Sequence, residues 1–424
     1  MTVSDHLIIG SSHAALAAIA AIRAQDEAAT VTMLTRDRHL PYSPTLLPYV
    51  VSGRARPENV ILHDAAFFSS LRVRIETAAG ITAVRPLAHE VMLEDGGIWH
   101  YGKLLLATGA APTVPAIAGL AEVRFHRLRS LDDALALRAA LAEGRRAVVL
   151  GAGLVGMHAA ENLATAGMAV TVIEPRDQVL PSYLDAETAA RLAARFAANG
   201  VDIRTGRAVV AVAPTGSGEG AGCRLTLDDG AGLDADLLLV ATGVRAACDY
   251  LAGSGIATAR GILVDAGMRT SAPAVWAAGD VAEAPSFPGP SRAVAGILPE
   301  AVAQGRIAGM AMVGDAMAQP YRGSIARNTY RFFGETVISV GTGIAGTVPA
   351  DAEIFTGHDP DTGAYWRIAL RGECLLGIAC VNLSLDTGTV CELIRREIAL
   401  TPLKARFIAA PRETAQRLMS RIWR

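Results

Sequence analysis

Paired cysteines are lacking in this chain of 424 residues, and their absence excludes several kinds of site. No two of its five cysteines are spaced as CxxC or CxxxxC. All five lie in the second half of the chain: Cys223, Cys248, Cys374, Cys380 and Cys391. We therefore expect no disulfide framework, no zinc site and no iron–sulfur cluster held by this chain alone.

An excess of charge of one sign and a long hydrophobic run are also lacking. The 39 basic and 41 acidic residues leave a formal net charge of −2, which is not typical of a nucleic-acid-binding protein. The apolar run over residues 14–22 is too short to span a bilayer, and no basic segment precedes the first strand. We expect a soluble, cytoplasmic protein of two or three domains, since the chain is longer than one core usually organises.

An incomplete glycine loop near the start of the chain is the first feature that indicates function. Residues 6–9 are predicted to form a buried strand, which leads through the letters GSSHAA into a helix rich in Ala, Leu and Ile. This is the context that a dinucleotide-binding motif GxGxxG requires. Its three positions are occupied by Gly10, Ser12 and Ala15, so only the turn glycine is kept. The loop alone leaves open whether it binds a dinucleotide or is an ordinary helix N-terminus.

A complete glycine loop follows in the middle of the chain. The predicted strand over residues 146–150 enters GAGLVG, and the next predicted strand ends in Glu174. The three glycines of this loop are Gly151, Gly153 and Gly156. A helix N-terminus at this point would offer free N–H groups to a pyrophosphate. Glu174 would accept from a ribose 2′-hydroxyl and repel a 2′-phosphate, which favours NAD over NADP, although the neighbouring Arg176 keeps NADP open.

Two further strands end in the same three letters, ATG. Each glycine loop is followed, far downstream, by one of them: residues 107–109 after the first loop and residues 241–243 after the second. The repetition predicts two related nucleotide-binding domains, one inserted in the other. Each domain would hold its own dinucleotide.

A third segment with a polar end is TSAPAVWAAGD. A short apolar run stops abruptly at Gly279 and Asp280, which would place one carboxylate at the C-terminal edge of a sheet. Ligands of open α/β sheets lie at that edge, but Asp also commonly begins a helix. Because two glycine loops precede it, we expect this segment to return to the first domain and close its nucleotide site.

Taken in order, these motifs resemble the FAD-dependent pyridine-nucleotide oxidoreductases. That family includes ferredoxin and rubredoxin reductases, NADH oxidases, coenzyme A-disulfide reductases and nitrite reductase flavin domains. The resemblance implies an α/β fold with two Rossmann-like three-layer domains, the NAD domain inserted in the FAD domain, and a small α+β C-terminal interface domain. The expected boundaries are 1–120 and 248–320 for the FAD domain, 121–247 for the NAD domain and 321–424 for the interface domain.

The resemblance also assigns cofactor-binding residues. The residues expected to bind FAD are Gly10, Ser12, Ala15, Thr35, Arg36, Ala107, Thr108, Gly109, Gly279, Asp280 and Gln304. The residues expected to bind NAD are Gly151, Gly153, Gly156, Glu174 and Gly243. Candidates for the face of the flavin are Tyr42, Ser43 and Thr45, in a loop rich in Pro and aromatics, although these side chains could also simply shape the loop.

Two departures from the family pattern narrow the function. Thr45 stands where coenzyme A-disulfide reductases and NADH oxidases carry a cysteine, and no cysteine follows the first strand–helix–strand unit. A hydroxyl cannot replace a thiolate in disulfide chemistry, so we expect none. His158 stands where many relatives have Glu, which leaves the contacts to nicotinamide open.

The segment YSPTLLPYVVSGR, together with GSSHAA and GMHAAE, is most similar to the flavin subunits of phenylglyoxylate-type 2-oxoacid dehydrogenase complexes. Such subunits pass electrons between an iron–sulfur, thiamine-diphosphate enzyme and NAD. The resemblance implies an FAD-containing subunit that exchanges hydride with NAD and single electrons with an iron–sulfur protein or with subunits of a larger complex. We also expect that the C-terminal domain could pair two copies of the chain. Three alternatives stay open: a free-standing NADH:ferredoxin or rubredoxin reductase, an NADH oxidase, and a redox-responsive NAD-binding assembly protein.

Overall fold

The first stretch of the chain builds a parallel sheet, as the glycine-loop pattern predicts. The structure is a computed structural model that describes residues 2–422 except 143, 217–221 and 347. The first elements are β1 (Thr2–Ile9), α1 (His13–Gln25), β2 (Val31–Leu34), α2 (Leu47–Val51), α3 (Ala65–Ser70), β3 (Val73–Glu76), β4 (Ile81–Arg85), β5 (Glu90–Leu93) and β6 (Ile98–Leu106). Their order in the sheet is β3-β2-β1-β6-β5-β4, with β1, β2, β3 and β6 parallel. The C-terminal ends of β1 and β6 therefore meet at one edge.

The middle of the chain forms a second, separate sheet. Its elements are β7 (Ala110–Pro112), α4 (Leu131–Ala140), β8 (Arg146–Leu150), α5 (Leu154–Thr165), β9 (Ala169–Glu174), α6 (Ala186–Ala198), β10 (Asp202–Thr205), β11 (Val209–Pro214), β12 (Cys223–Leu227), β13 (Gly232–Ala235), β14 (Leu237–Val240) and β15 (Val244–Ala246). Only four of these strands form the parallel sheet, in the order β10-β9-β8-β14. Strands β11, β12 and β13 form an antiparallel sheet of their own. The near-continuous apolar strands RAVVL and LLLV are typical of a parallel sheet that is covered on both faces.

The chain then returns to the first sheet. The returning elements are β16 (Ile262–Leu263), β17 (Val275–Ala277), β18 (Ala282–Pro285), β19 (Arg292–Ala293) and α7 (Leu298–Val313). Strand β17 pairs in parallel with β6, so the TSAPAVWAAGD segment ends at the same edge as β1. Helix α7 packs closely on α1, because Gly305 and Gly309 leave room: a Cβ at Gly305 would lie 2.1 Å from the carbonyl oxygen of Ala14.

The last part of the described chain is an antiparallel sheet with helices. It contains β20 (Arg327–Phe332), β21 (Glu335–Gly341), β22 (Glu353–Asp359), β23 (Ala364–Arg371), β24 (Cys374–Val381), α8 (Thr387–Arg395), α9 (Lys404–Ala409) and α10 (Pro411–Ile422). The strand order is β20-β21-β24-β23-β22. Most buried apolar side chains of this sheet and of α8 to α10 form a core of their own, whereas Tyr330, Phe332, Val337 and Val381 pack into the core of the second parallel sheet.

These elements confirm the predicted fold class: two nucleotide-binding-type α/β units, the second placed within the chain of the first, followed by an α+β unit. The residue boundaries given for the three domains stay predictions. Within the described part of the chain, no helix combines the length and the apolar character needed to cross a membrane.

Candidate dinucleotide sites

The first glycine loop has the conformation that its turn glycine predicts. Gly10 adopts φ +112°, a region that favours glycine, and its N–H donates to the Leu34 carbonyl at 2.8 Å. A Cβ on Gly10 would lie 2.0 Å from the carbonyl oxygen of Ala107. The loop after β1 and the ATG turn after β6 are therefore pressed together at the sheet edge, and Gly10 is required both by its backbone conformation and by its neighbour.

Two helices begin at this edge without a side-chain cap. Ser12 is the N-cap of α1, but its hydroxyl makes no capping hydrogen bond, and Ile297, the N-cap of α7, has no polar side chain. Both helix starts converge on Gly279, where a Cβ would lie 3.2 Å from Cβ of Ala14 and 3.7 Å from Cβ of Ala301. The free N–H groups and the positive helix ends suit an anion. The residues present thus fit the pyrophosphate of a dinucleotide such as FAD.

The third predicted segment ends at the same edge, where we expect it to close the nucleotide site. Gly279 adopts φ +81°, and its N–H donates to Oε1 of the buried Gln304 at 2.9 Å. Asp280 Oδ2 accepts from Arg129 Nη2 at 3.2 Å, and Arg129 Nε donates to the Ala110 carbonyl. Asp280 also acts on His13: burial lowers the pKa of His13 below its usual value, while the nearby carboxylate partly opposes this.

Arg129 is a candidate ligand residue that the sequence reasoning missed. It lies directly before α4, where Ser130 and Asp133 form a reciprocal capping box. Its own N–H donates to Asp133 at 3.1 Å, so the start of the helix fixes the backbone from which the guanidinium reaches Asp280. The signal in the sequence was the letters RSLDD, in which a capping pattern follows an arginine. Nothing in that pattern indicates which way the arginine points.

The remaining residues expected to bind FAD lie around the same edge, with different local roles. Thr35 is buried, and its hydroxyl accepts from Ser11 Oγ at 3.1 Å, whereas Arg36 is exposed. Ala15 is buried in α1, and Gly109 has φ +70° with Arg129 beside it. The Thr108 hydroxyl donates to the Ala247 carbonyl at 2.8 Å, which ties the first ATG turn to the chain returning from the middle domain.

The second glycine loop is distinguished by its middle glycine. Gly151 has φ +102° and contacts the second ATG turn, since a Cβ would lie 2.5 Å from the Ala241 carbonyl oxygen. A Cβ on Gly156 would lie 1.9 Å from the carbonyl oxygen of Gly151. Gly153, by contrast, has φ −76° and no atom within 4 Å of an added Cβ. Neither its conformation nor the packing requires glycine there, and the open space would let a ligand approach the backbone.

Glu174 lies where the motif predicts, at the end of β9. Its carboxylate is buried and accepts from the N–H of Ala152 at 2.8 Å and from the N–H of Arg176 at 3.0 Å. Glu174 therefore holds the glycine loop in place, and a carboxylate retains acceptor capacity for a ribose hydroxyl as well. The side chain of Arg176 is exposed and lies 3.4 Å from Ser182 Oγ.

The two ATG turns are joined to each other. Strand β15, which follows Gly243, pairs antiparallel with β7, which follows Gly109. Gly243 has φ +112°, and its carbonyl accepts from the N–H of Thr113 at 2.9 Å. The two ATG turns thus lie where the chain passes between the two nucleotide-binding units. Both candidate dinucleotide sites therefore lie along the contact between these units.

The candidates for the flavin face form a tight loop. The Tyr42 hydroxyl donates to Asp37 at 2.6 Å and accepts from the N–H of Leu131 at 3.1 Å, so it links this loop to α4. Burial and the hydrogen bond to Asp37 raise the pKa of Tyr42 above its usual value. Ser43 Oγ and Thr45 Oγ1 lie 2.9 Å apart, with Ser43 buried and Thr45 exposed. The contact of these three residues with a flavin stays a prediction.

His158 on α5 faces the C-terminal domain. Its ring centroid lies 4.6 Å from that of Phe332, and burial lowers the pKa of His158 to about 4. The imidazole is therefore neutral at pH 7. The N–H of Phe333 donates to Glu161 of the same helix at 2.8 Å, so α5 is anchored on the β20–β21 turn.

The comparisons with known proteins agree with this geometry. The family model described as pyridine nucleotide-disulphide oxidoreductase matches residues 4–305. The chain is 48% identical over 422 residues to the NADH-dependent phenylglyoxylate dehydrogenase subunit epsilon of Aromatoleum evansii, covering 99% of this chain and 98% of that protein. It is 33% identical to the ferredoxin–NAD(+) reductase component of the biphenyl dioxygenase system of Paraburkholderia xenovorans, covering 74% and 76%.

Among solved structures, the covalent putidaredoxin reductase–putidaredoxin complex contains a chain that matches with a TM-score of 0.87 and 22% identity, covering 98% of both chains. At that identity the match shows the fold. The family match and the sequence relatives confirm the predicted cofactors, FAD and NAD(H), and the predicted redox activity. The chain is an FAD-dependent NAD(H) oxidoreductase and belongs to the pyridine nucleotide-disulphide oxidoreductase family.

Proposed function

We propose that this protein is the NAD-reducing flavin subunit of a 2-oxoacid dehydrogenase complex of the phenylglyoxylate type. The observation that carries the proposal is the 48% identity to the epsilon subunit of phenylglyoxylate dehydrogenase, which extends over 99% of this chain. Its partners would be an iron–sulfur protein or iron–sulfur subunits of the same complex, in the cytoplasm. A homodimer through the C-terminal domain is part of the same proposal.

The chain's own residues divide the work between two sites. FAD would be held by the first loop, Asp280 and Arg129. NAD would be held by Gly153 and Glu174, on the other side of the contact between the two nucleotide-binding units. Bound flavin supplies the chemistry, because it takes up hydride from a nicotinamide and exchanges electrons singly with other centres. The protein's part would be to bind FAD and NAD, to orient them and to exclude water from them. This division needs no general acid or base, and none of the candidate residues is assigned that role.

Electrons must leave or enter through a partner, because the chain offers no thiol relay near the flavin loop. Thr45 occupies the position of the family's redox cysteine, and every cysteine lies at or beyond residue 223. Burial raises the pKa of Cys223 to about 11 and that of Cys380 to about 12, so these thiols are protonated at neutral pH. Two buried, protonated thiols and the absence of a cysteine before residue 223 support exchange with an external iron–sulfur centre over disulfide reduction.

The proposal is tested by purifying the tagged chain from its native host under anaerobic conditions. We expect iron–sulfur and thiamine-diphosphate subunits to co-purify, and the complex to reduce NAD when given phenylglyoxylate. A chain that purifies as a lone homodimer without such activity would contradict membership of the complex.

A second candidate is a free-standing ferredoxin–NAD(+) reductase. The match of 33% identity to such a component in Paraburkholderia xenovorans favours it, as does the family membership. Rapid NADH-dependent reduction of an added ferredoxin by the chain alone, without other subunits, would support this candidate over the complex.

A further inference from the structure

A buried carboxylate on α7 has no part in the function derived so far. Glu300 is 3% exposed, although it lies in the first turn of a helix that begins at the cofactor edge. The Tyr321 hydroxyl donates to its Oε2, and Arg327 Nη2 lies 3.4 Å from its Oε1. Tyr321 lies in the segment that leads into the C-terminal sheet, and Arg327 is the first residue of β20. Glu300 therefore joins α7 to that sheet through two hydrogen bonds, one of them charged.

The same group is linked to the FAD edge. Gln304 lies one helical turn after Glu300, and its Oε1 accepts from the N–H of Gly279 at 2.9 Å. The Gln304 side chain also lies beside the Tyr321 hydroxyl. Ala301, the neighbour of Glu300, lies against Gly279. The chain of contacts from Glu300 to the turn that carries Asp280 thus passes through two buried side chains.

The charge of Glu300 pairs with Arg327, and its place in the first turn of α7 also puts it beside the cofactor edge. Glutamine in its place could still accept from Tyr321 but would leave Arg327 without its ion pair. The surroundings carry the opposite sign: Arg327 contacts Glu300, Arg395 lies near Tyr321, and the uncapped N-terminus of α7 carries a partial positive charge. Arg327 Nε is itself buried without a hydrogen-bond partner among the described residues. Glu300 is therefore, with Asp280, one of two carboxylates that offset the positive helix ends and guanidinium groups at the cofactor edge.

We propose that the carboxylate of Glu300 sets the reduction potential of the bound flavin. A positive helix end and a guanidinium favour the reduced, more negatively charged flavin, and the carboxylate opposes them. Glu300 thereby keeps the potential low enough for electrons to pass on to NAD. The proposal rests on the FAD site proposed above. Glu300 would act on the flavin through the charge of its carboxylate and would take no part in the reaction itself.

The test is the midpoint potential of the FAD-loaded protein, measured by anaerobic titration against a reference dye. We expect Glu300→Gln to favour flavin reduction about tenfold, which is a rise of about 30 mV for a two-electron couple. Glu300→Asp keeps the charge and shortens the side chain, so its potential stays near that of the wild type. Glu283→Gln is the matched control, because Glu283 is also a buried carboxylate paired with an arginine, Arg260, but lies outside the first turn of α7.

Two results would overturn the proposal: an unchanged potential in Glu300→Gln, or equal shifts in Glu300→Gln and Glu300→Asp or Glu283→Gln. If Glu300→Gln does not load with FAD, Arg327→Gln decides instead. Removing the cation must lower the potential, and a rise or no change contradicts the proposal. The measurement requires no electron partner, so its failure is separate from the failure of the complex to co-purify.

Discussion

The two glycine loops of this protein share a backbone but differ in their side chains. In both, the first glycine has a positive φ, +112° at Gly10 and +102° at Gly151, and its N–H donates to the next strand at 2.8 Å. At the middle position the first loop has Ser12 and the second has Gly153, and the strand that follows ends in Thr35 or in Glu174.

The difference shows how a loop that departs from its motif can keep its site. The second loop, the predicted NAD site, is complete within one strand–helix–strand unit, because Gly153 leaves the space and Glu174 holds the loop. The first loop, the predicted FAD site, is surrounded by distant parts of the chain: the Asp280 turn, Arg129 and the start of α7. Changes in the second loop should therefore act on NAD alone, whereas the first site should be sensitive at residues far from its loop.

The largest effect is expected from Gly153→Val. A Cβ at residue 153 has no protein atom within 4 Å, so we expect the fold and the FAD content to stay unchanged while the side chain fills the space left for the dinucleotide. We expect the affinity for NADH to fall by about a hundredfold, which corresponds to about 2.7 kcal/mol. Titration of the FAD-loaded protein with NADH measures it. Ser12→Gly is the matched change in the other loop, and it should leave the NADH affinity alone. Normal NADH binding by Gly153→Val would place the nucleotide elsewhere.

Each of the two helices that follow the glycine loops carries a histidine, and the next effect is expected from the one on α5, His158. Burial depresses the pKa of His158 to about 4, so the unfolded chain binds its proton at a higher pH than the folded chain does. The free energy of unfolding should therefore fall as the pH drops from about 6.5 towards 4, by about 2 kcal/mol between pH 7 and pH 5. Denaturant unfolding of the protein and of His158→Leu at both pH values measures this. The variant should lose less stability than the wild type, and parallel losses would rule out His158 as the cause.

Asp280→Asn should weaken FAD binding by about tenfold, since it removes a charged acceptor at the site edge and leaves Arg129 without its ion pair. The dissociation constant of FAD from the reconstituted protein is the measurement. Asp315→Asn, a partly exposed carboxylate just beyond the other end of α7, is the control. An unchanged FAD affinity in Asp280→Asn would mean that the first loop is sufficient without the distant turn.

The smallest effect is expected from Glu174→Gln. The amide keeps the shape and can still accept from the N–H of Ala152, but it no longer repels a 2′-phosphate. We expect the preference for NADH over NADPH to drop by about threefold to tenfold, measured as the ratio of kcat/KM values. If the ratio does not move, the charge of Glu174 does not select the cofactor.

The features that could be predicted from the sequence are those encoded locally. The strands around both glycine loops, the turn at Gly10 and the end of the segment at Asp280 follow from short patterns, and their order along the chain identified the family. The partner of Asp280 could not be predicted, because Arg129 lies far away in the sequence and is oriented by the capping of α4. The same holds for Tyr42, whose hydroxyl is bound by Asp37 and Leu131, and for Glu300. Long-range packing places these groups, and no local spacing records it.

The central claim is that FAD at the first loop accepts hydride from NADH at the second. Anaerobic stopped-flow mixing of the FAD-loaded chain with NADH tests it most directly. We predict rapid bleaching of the flavin absorbance by NADH, in one turnover and without any partner protein. Negligible flavin reduction by NADH, in a protein that retains FAD and binds NADH, would contradict the account and favour a protein in which NAD controls assembly.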